Sequence, residues 1–161
     1  MSASGEQRTT IVAWSGDLDR VWPQLILATT AAAYGMTTTV FFTFWGLFTL
    51  KRPDVKITGS DWKTNWKTKG LGVMNRQGLT KLNMGGLGPL LMKKVATEHK
   101  VAPPTELLDT AKELGVRLWP CSMTMDLMGL TPADLIDGVG EPVGAATALA
   151  EMQHSTINLF I

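Results

Sequence analysis

At 161 residues the chain is long enough for one domain with a sizeable core. Hydrophobic residues make up 45% and charged residues only 18%, so much surface is buried, in a core or against other subunits. A formal net charge of +1 excludes a global pull toward nucleic acid or acidic partners, and a single cysteine excludes an internal disulfide.

The first ten residues, MSASGEQRTT, lack the apolar core of a signal peptide. Residues 9–14 (TTIVAW) read as a first strand, bounded by Ser15, Gly16 and Asp17. A helix follows over about 19–34. Asp17 or Asp19 is its cap, and Gly35 sits where a left-handed residue ends a helix. Pro23 is expected near the first turn, since further in it would kink the helix. Residues 37–44 (TTTVFFTF) are β-branched and aromatic and read as a second strand, buried on both faces. Residues 45–48 turn into a short helix. The whole run 21–50 carries no charge, and Arg20, Lys51 and Arg52 flank it, so its length suits a membrane span. Pro23, Gln24, Gly35 and five threonines between Thr37 and Thr49 argue against one, so membrane association is not expected.

Residues 51–103 break the rhythm and read as an insertion, with too little apolar mass for a core of their own. Residues 51–69 carry six basic and two acidic residues, with Trp62 and Trp66 four apart. Basic residues between aromatics suit single-stranded nucleic acid, but the near-neutral chain favours a solvated loop anchored by its tryptophans, and no nucleic-acid partner is expected. Residues 70–89 hold six glycines, and residues 90–99 look like a short helix. Pro103 and Pro104 open another helix, with Leu107, Leu108, Ala111 and Leu114 on one face and Gly115 at its end. Residues 116–119 form a third strand. Cys121 follows, then a helix through Met128. Leu135 and Ile136 begin a short fourth strand, residues 144–153 a helix, and residues 156–161 (TINLFI) a final strand. Strands alternating with helices predict a single three-layer α/β/α domain, flavodoxin-like, with a mostly parallel five-stranded sheet.

Cys121 then lies at the carboxyl end of a central strand, the edge where open α/β sheets bind ligands. A free cysteine is commonly a buried core thiol. At a helix start, however, amide dipoles stabilise an anion, and thiolate is the form that attacks sulfane sulfur, peroxide or disulfide. The catalytic reading expects an exposed thiol. No second cysteine exists, which excludes a CxxC oxidoreductase, and His99 and His154 could approach only through folding. A persulfide carrier needs one thiol. Trp14, Ser15, Phe44, Trp45, Ser122, Met123, Gly138 and Val139 lie at neighbouring strand ends and are candidates for a pocket wall. Met123, Met125 and Met128 offer soft ligands to Cu(I), but Met125 and Met128 share a helix face and read as packing. Residues 138–144 (GVGEPVG) depart from a dinucleotide fingerprint in glycine spacing and in Pro142, and Gly85, Gly86 and Gly88 lack the lysine of a phosphate loop. No metal-ligand spacing is present, and no cofactor is expected.

Four stretches resemble a known family: LILATTAAAYGMTTTVFFTFWGL (25–47), PTELLDTAKELGVRLWPCSMTMDLMGL (104–130), DLIDGV (134–139) and TINLFI (156–161). They look like the DsrE/DsrF-like sulfur-relay proteins, and within them the DsrE-like subgroup often labelled "predicted peroxiredoxin". The blocks cover about two thirds of the chain in family order. The resemblance implies a DsrEFH-like parallel α/β sheet, a homo-oligomer and a cytoplasmic role in sulfur oxidation or trafficking. It also implies sulfur carried as persulfide or thiosulfonate on the cysteine after the third strand, which is Cys121, and partners such as TusA-like carriers and rhodanese-like sulfurtransferases. The expected function is thus a sulfur carrier or sulfurtransferase. The alternative is a non-catalytic oligomeric interaction module in which Cys121 is structural.

Overall fold

The computed structural model describes residues 7–55 and 101–161, together with Lys94 and Glu98, which are helical. The basic tryptophan segment beyond residue 55, the glycine-rich run and His99 lie outside the described residues, as does the rest of the predicted 90–99 helix. Four strands form one sheet: β1 (Arg8–Ala13), β2 (Thr37–Phe42), β3 (Arg117–Pro120) and β4 (Ile157–Phe160). Their order is β3-β2-β1-β4, and every pair is parallel. The registers align whole rows of side chains across the sheet. Leu118, Val40, Ile11 and Leu159 form one row, and Trp119, Phe41, Val12 and Phe160 form the next. Successive residues of a strand point to opposite faces, so the two rows face opposite layers.

The first face is the thicker. Helices α1 (Leu18–Ala33) and α2 (Pro104–Glu113) cover it with Val21, Leu25, Ala28, Leu108 and Ala111. Met125 and Met128 of α3 (Ser122–Met128) join the same core. Each fully buried side chain of Leu or Met size contributes about 1.5–3 kcal/mol, so this layer holds most of the apolar stabilisation. The second face carries α4 (Ala145–His154), of which only Ala148 is buried.

The strand and helix sequence follows the predicted order, with two differences. The sheet among the described residues has four strands, not five. Leu135 makes a single antiparallel bridge with Lys51 and goes no further. A 3-10 turn (Pro132–Asp134) precedes it, and Gly138 soon follows, which leaves no length for a strand. Residues 140–143 cover the β3 edge instead. Gly140 N–H donates to the Leu118 carbonyl at 2.9 Å and Val143 N–H to the Pro120 carbonyl at 2.9 Å. The second difference is that β3, which leads into Cys121, is an edge strand of this sheet and not a central one. Pro23 stands inside α1, just past its first turn. It brings no N–H to the helical ladder there, yet the helix continues, because its buried face packs on the sheet on both sides of the ring. At the far end Gly35, with φ 84°, closes α1 as expected: its N–H donates to Ala32 and the Met36 N–H to Ala31.

The uncharged run 21–50 is thus a helix, a strand and a 3-10 turn (Phe44–Leu50) folded onto one core. No described helix is long and apolar enough to cross a membrane.

Candidate functional site

Cys121 stands where β3 passes into α3. Its N–H donates to the Phe42 carbonyl at 2.9 Å, and its carbonyl accepts from the Met125 N–H at 3.0 Å. Val143 pairs with it as a parallel bridge, and the Ser122 N–H donates to the Val143 carbonyl at 3.0 Å. The cysteine is the N-cap of α3, with extended backbone (φ −75°, ψ 116°), but its side chain makes no capping hydrogen bond. The backbone is therefore fixed from β2, from α3 and from the covering segment, while the sulfur serves no capping role.

The sulfur is not exposed. Cys121 is 3% accessible and belongs to a small cluster with Val12, Phe41 and Ala148, closed by Trp119, Val143 and Met152. This corrects the expectation of an exposed thiol, and the reason is the strand period. Alternation along β3 sends Arg117, Trp119 and Cys121 to one face, and that face is the one beneath α4.

Around the cysteine the strand ends are tied together. The Thr43 N–H donates to the Ala13 carbonyl at 2.9 Å. Thr124 of α3 is fully buried; its Oγ1 accepts from the Phe44 N–H at 3.1 Å and lies 3.2 Å from Thr43 Oγ1. Phe44 adopts φ 45°, among the described residues a left-handed value shared by no other non-glycine. A bulky residue there stores about 1–2 kcal/mol of strain, of the kind found at ligand-binding turns. Gly46 makes the geometry possible: a Cβ on it would overlap the Ala13 carbonyl, whose carbon would lie 2.7 Å away.

The other predicted wall residues divide. Trp14 is 36% exposed at the end of β1, stacked on Phe160 at 6.2 Å with Arg20 over its ring. Phe44 and Met123 are also exposed beside the strand ends, and Ser122 is half-buried. Ser15 is buried in its own turn, donating to Asp17 at 3.2 Å, and Trp45 stacks on Phe48. The structure does not bring Gly138 or Val139 into the cysteine's cluster: Gly138 lies against the Lys112 side chain, and Val139 packs on the main core. Met125 and Met128 are core residues of that same opposite layer, so they share no site with the sulfur. His154 ends α4 and is exposed. Among the described residues no three His, Cys, Asp or Glu side chains group to hold a metal.

Sequence reasoning missed Thr43, Thr124, Val143 and Glu151. Glu151 of α4 pairs with Arg117, and with Arg8 at 3.6 Å. Arg117 also lies 5.0 Å from the Trp119 ring centroid. The helix over 144–153 was legible, but its packing over Arg117 and Cys121, which brings in the carboxylate, was not.

The model of the DsrE/DsrF/DrsH-like family matches residues 5–160. The chain belongs to this family. It is 38% identical over 160 residues to the uncharacterised protein YrkE of Bacillus subtilis, covering 96% of this chain and 97% of that one. It is 35% identical over 168 residues to the sulfur carrier protein DsrE2 of Allochromatium vinosum, covering 97% and 99%. The crystal structure of the YchN protein from E. coli superimposes with a TM-score of 0.60 at 14% identity, over 96% of this chain and 99% of that one. That likeness shows a shared DsrE-like α/β fold. Membership in the DsrE family agrees with the resemblance carried by the FFTFWG and CSMTMDLMG blocks.

Proposed function

We propose that this chain is a sulfur carrier that holds sulfane sulfur on Cys121 and passes it to a partner's thiol. The observation that carries the reading is the full-length likeness to a protein named as a sulfur carrier, joined to a lone cysteine at the carboxyl end of β3. The chemistry needs one thiolate. Cys121 S⁻ attacks the outer sulfur of a donor persulfide, forming Cys121–S–S⁻ and releasing the donor as its thiolate. An acceptor thiolate then attacks that outer sulfur, takes it as a new persulfide and returns Cys121 to thiolate. The sulfur atom moves with its oxidation state unchanged, so neither step requires a redox cofactor.

The partners that fit are small TusA-like carriers and rhodanese-like sulfurtransferases, in the cytoplasm. A homo-oligomer is supported by the apolar surface left on the α4 side, where Leu149 is 60% and Phe160 70% exposed. We read the chain as a single DsrE-like domain with residues 51–103 inserted. The test is a chase. Protein loaded with polysulfide and desalted is mixed with a single-thiol acceptor protein, and the acceptor's intact mass is followed. Transfer from wild type and none from Cys121→Ser is expected; equal transfer from both refutes the role of Cys121. The burial of Cys121 favours the second reading, an oligomeric interaction module with a structural cysteine. That reading predicts no acceptor labelling at all.

A further inference from the structure

The burial of Cys121 raises the question of what opens over it. Helix α4 begins beside the cysteine, just after Val143, and runs back across the sheet to the amino ends of β1 and β3. Its apolar hold is slight. Ala148 is buried and Met152 is half-buried, while Ala145, Ala146, Thr147, Leu149 and Ala150 are exposed. An alanine brings little area to the sheet, so hydrophobic burial alone fastens this helix weakly. Polar ties at its far end supply the rest. The Glu151 side chain is 10% exposed and pairs with Arg117 of β3 and Arg8 of β1. Ser155 Oγ lies 2.7 Å from Thr10 Oγ1. Gly144, at the cysteine end, would meet nothing within 4 Å if it carried a Cβ.

We propose that Glu151 is the positioning residue that holds α4 down over Cys121, and that reagents and sulfur donors reach the thiol when α4 lifts. An ionic anchor so little exposed outweighs an ordinary surface pair, because its carboxylate is shielded from water and shared by two guanidinium groups. The helix is therefore a lid whose hold is set at the end opposite the sulfur. Its biological meaning rests on the sulfur-carrier reading, but its mechanics do not, and the test uses alkylation in place of sulfur.

The full-length protein is treated with iodoacetamide, whose iodide is displaced by the Cys121 thiolate to give a thioether. The rate is followed by intact mass, in rising urea kept below the unfolding transition. In wild type the rate is expected to be slow and nearly independent of urea, since lifting one helix exposes little surface. Glu151→Gln is expected to react about tenfold faster, equivalent to about 1.4 kcal/mol of lid opening. Glu151→Asp, which keeps the charge, is expected to fall back toward wild type. Arg117→Gln should also react faster, and Arg117→Gln with Glu151→Gln no faster than Glu151→Gln alone, because both remove one anchor. Should Glu151→Gln not fold, Arg117→Gln carries the comparison. Folded variants that react at the wild-type rate overturn the proposal. So does a wild-type rate that climbs with the full unfolding slope in urea, or single effects that multiply in the double variant. Fast alkylation without sulfur uptake would defeat the carrier reading and leave the lid intact.

Discussion

Thr124→Val isolates the tie between β2 and α3. Valine keeps the shape of threonine, so packing is preserved and the hydroxyl alone is lost. Thr124 is fully buried, and its Oγ1 serves both the Phe44 N–H and the Thr43 hydroxyl. Losing two such bonds at about 1 kcal/mol each predicts a loss of about 2 kcal/mol. For a domain of this size that lowers Tm by about 4–8 °C. Urea denaturation should show the midpoint falling with an unchanged slope. Thr124→Ser, which keeps the hydroxyl and loses one methyl, should lose about 1 kcal/mol. A valine variant as stable as wild type, or more stable than the serine variant, would refute the claim that this hydroxyl fastens the strand end beside Cys121.

Gly46→Ala is expected to destabilise by about 3 kcal/mol in the same urea assay, because the new Cβ meets the Ala13 backbone; wild-type stability would contradict that packing. At Phe44 the usual order of small residues should reverse, with Phe44→Gly at least as stable as Phe44→Ala, since alanine keeps the strain of φ 45° and glycine does not. The Thr131 backbone N–H and hydroxyl hold the Asp134 carboxyl below the usual carboxylate range. A lowered folded pKa means stability present above the ordinary carboxylate pKa and lost as pH falls through the lowered value. Asp134→Asn should thus be less stable than wild type at pH 7, and the gap should narrow in acid; a gap independent of pH would contradict it.

Much of the fold was legible because local and long-range signals agree. TTTVFF has no other good conformation than a strand, and Gly35 ends α1 with the conformation that suits glycine. Edges were harder. Leu135 and Ile136 look like a strand, yet the β3 edge is covered by residues 140–143, where Pro142 gives no strand signal. At the site, the strand end that carries Cys121 was legible, but the face on which its side chain lies was not. Its burial depends on α4, whose AATALAEMQH sequence does not announce which layer it joins. The left-handed Phe44 has no sequence signal either; its φ is set by the Thr124 hydroxyl and the close approach at Gly46.

Sulfur carriage requires that Cys121 accept sulfur in the native protein. Intact-mass and peptide-mapping spectrometry after incubation of the native protein with polysulfide, thiosulfate or tetrathionate tests it most directly. A sulfur adduct is expected on the peptide holding Cys121, removed by a reducing thiol and absent from Cys121→Ser. A native protein that stays unmodified with every donor, while the same chain unfolded in urea is labelled, would contradict it.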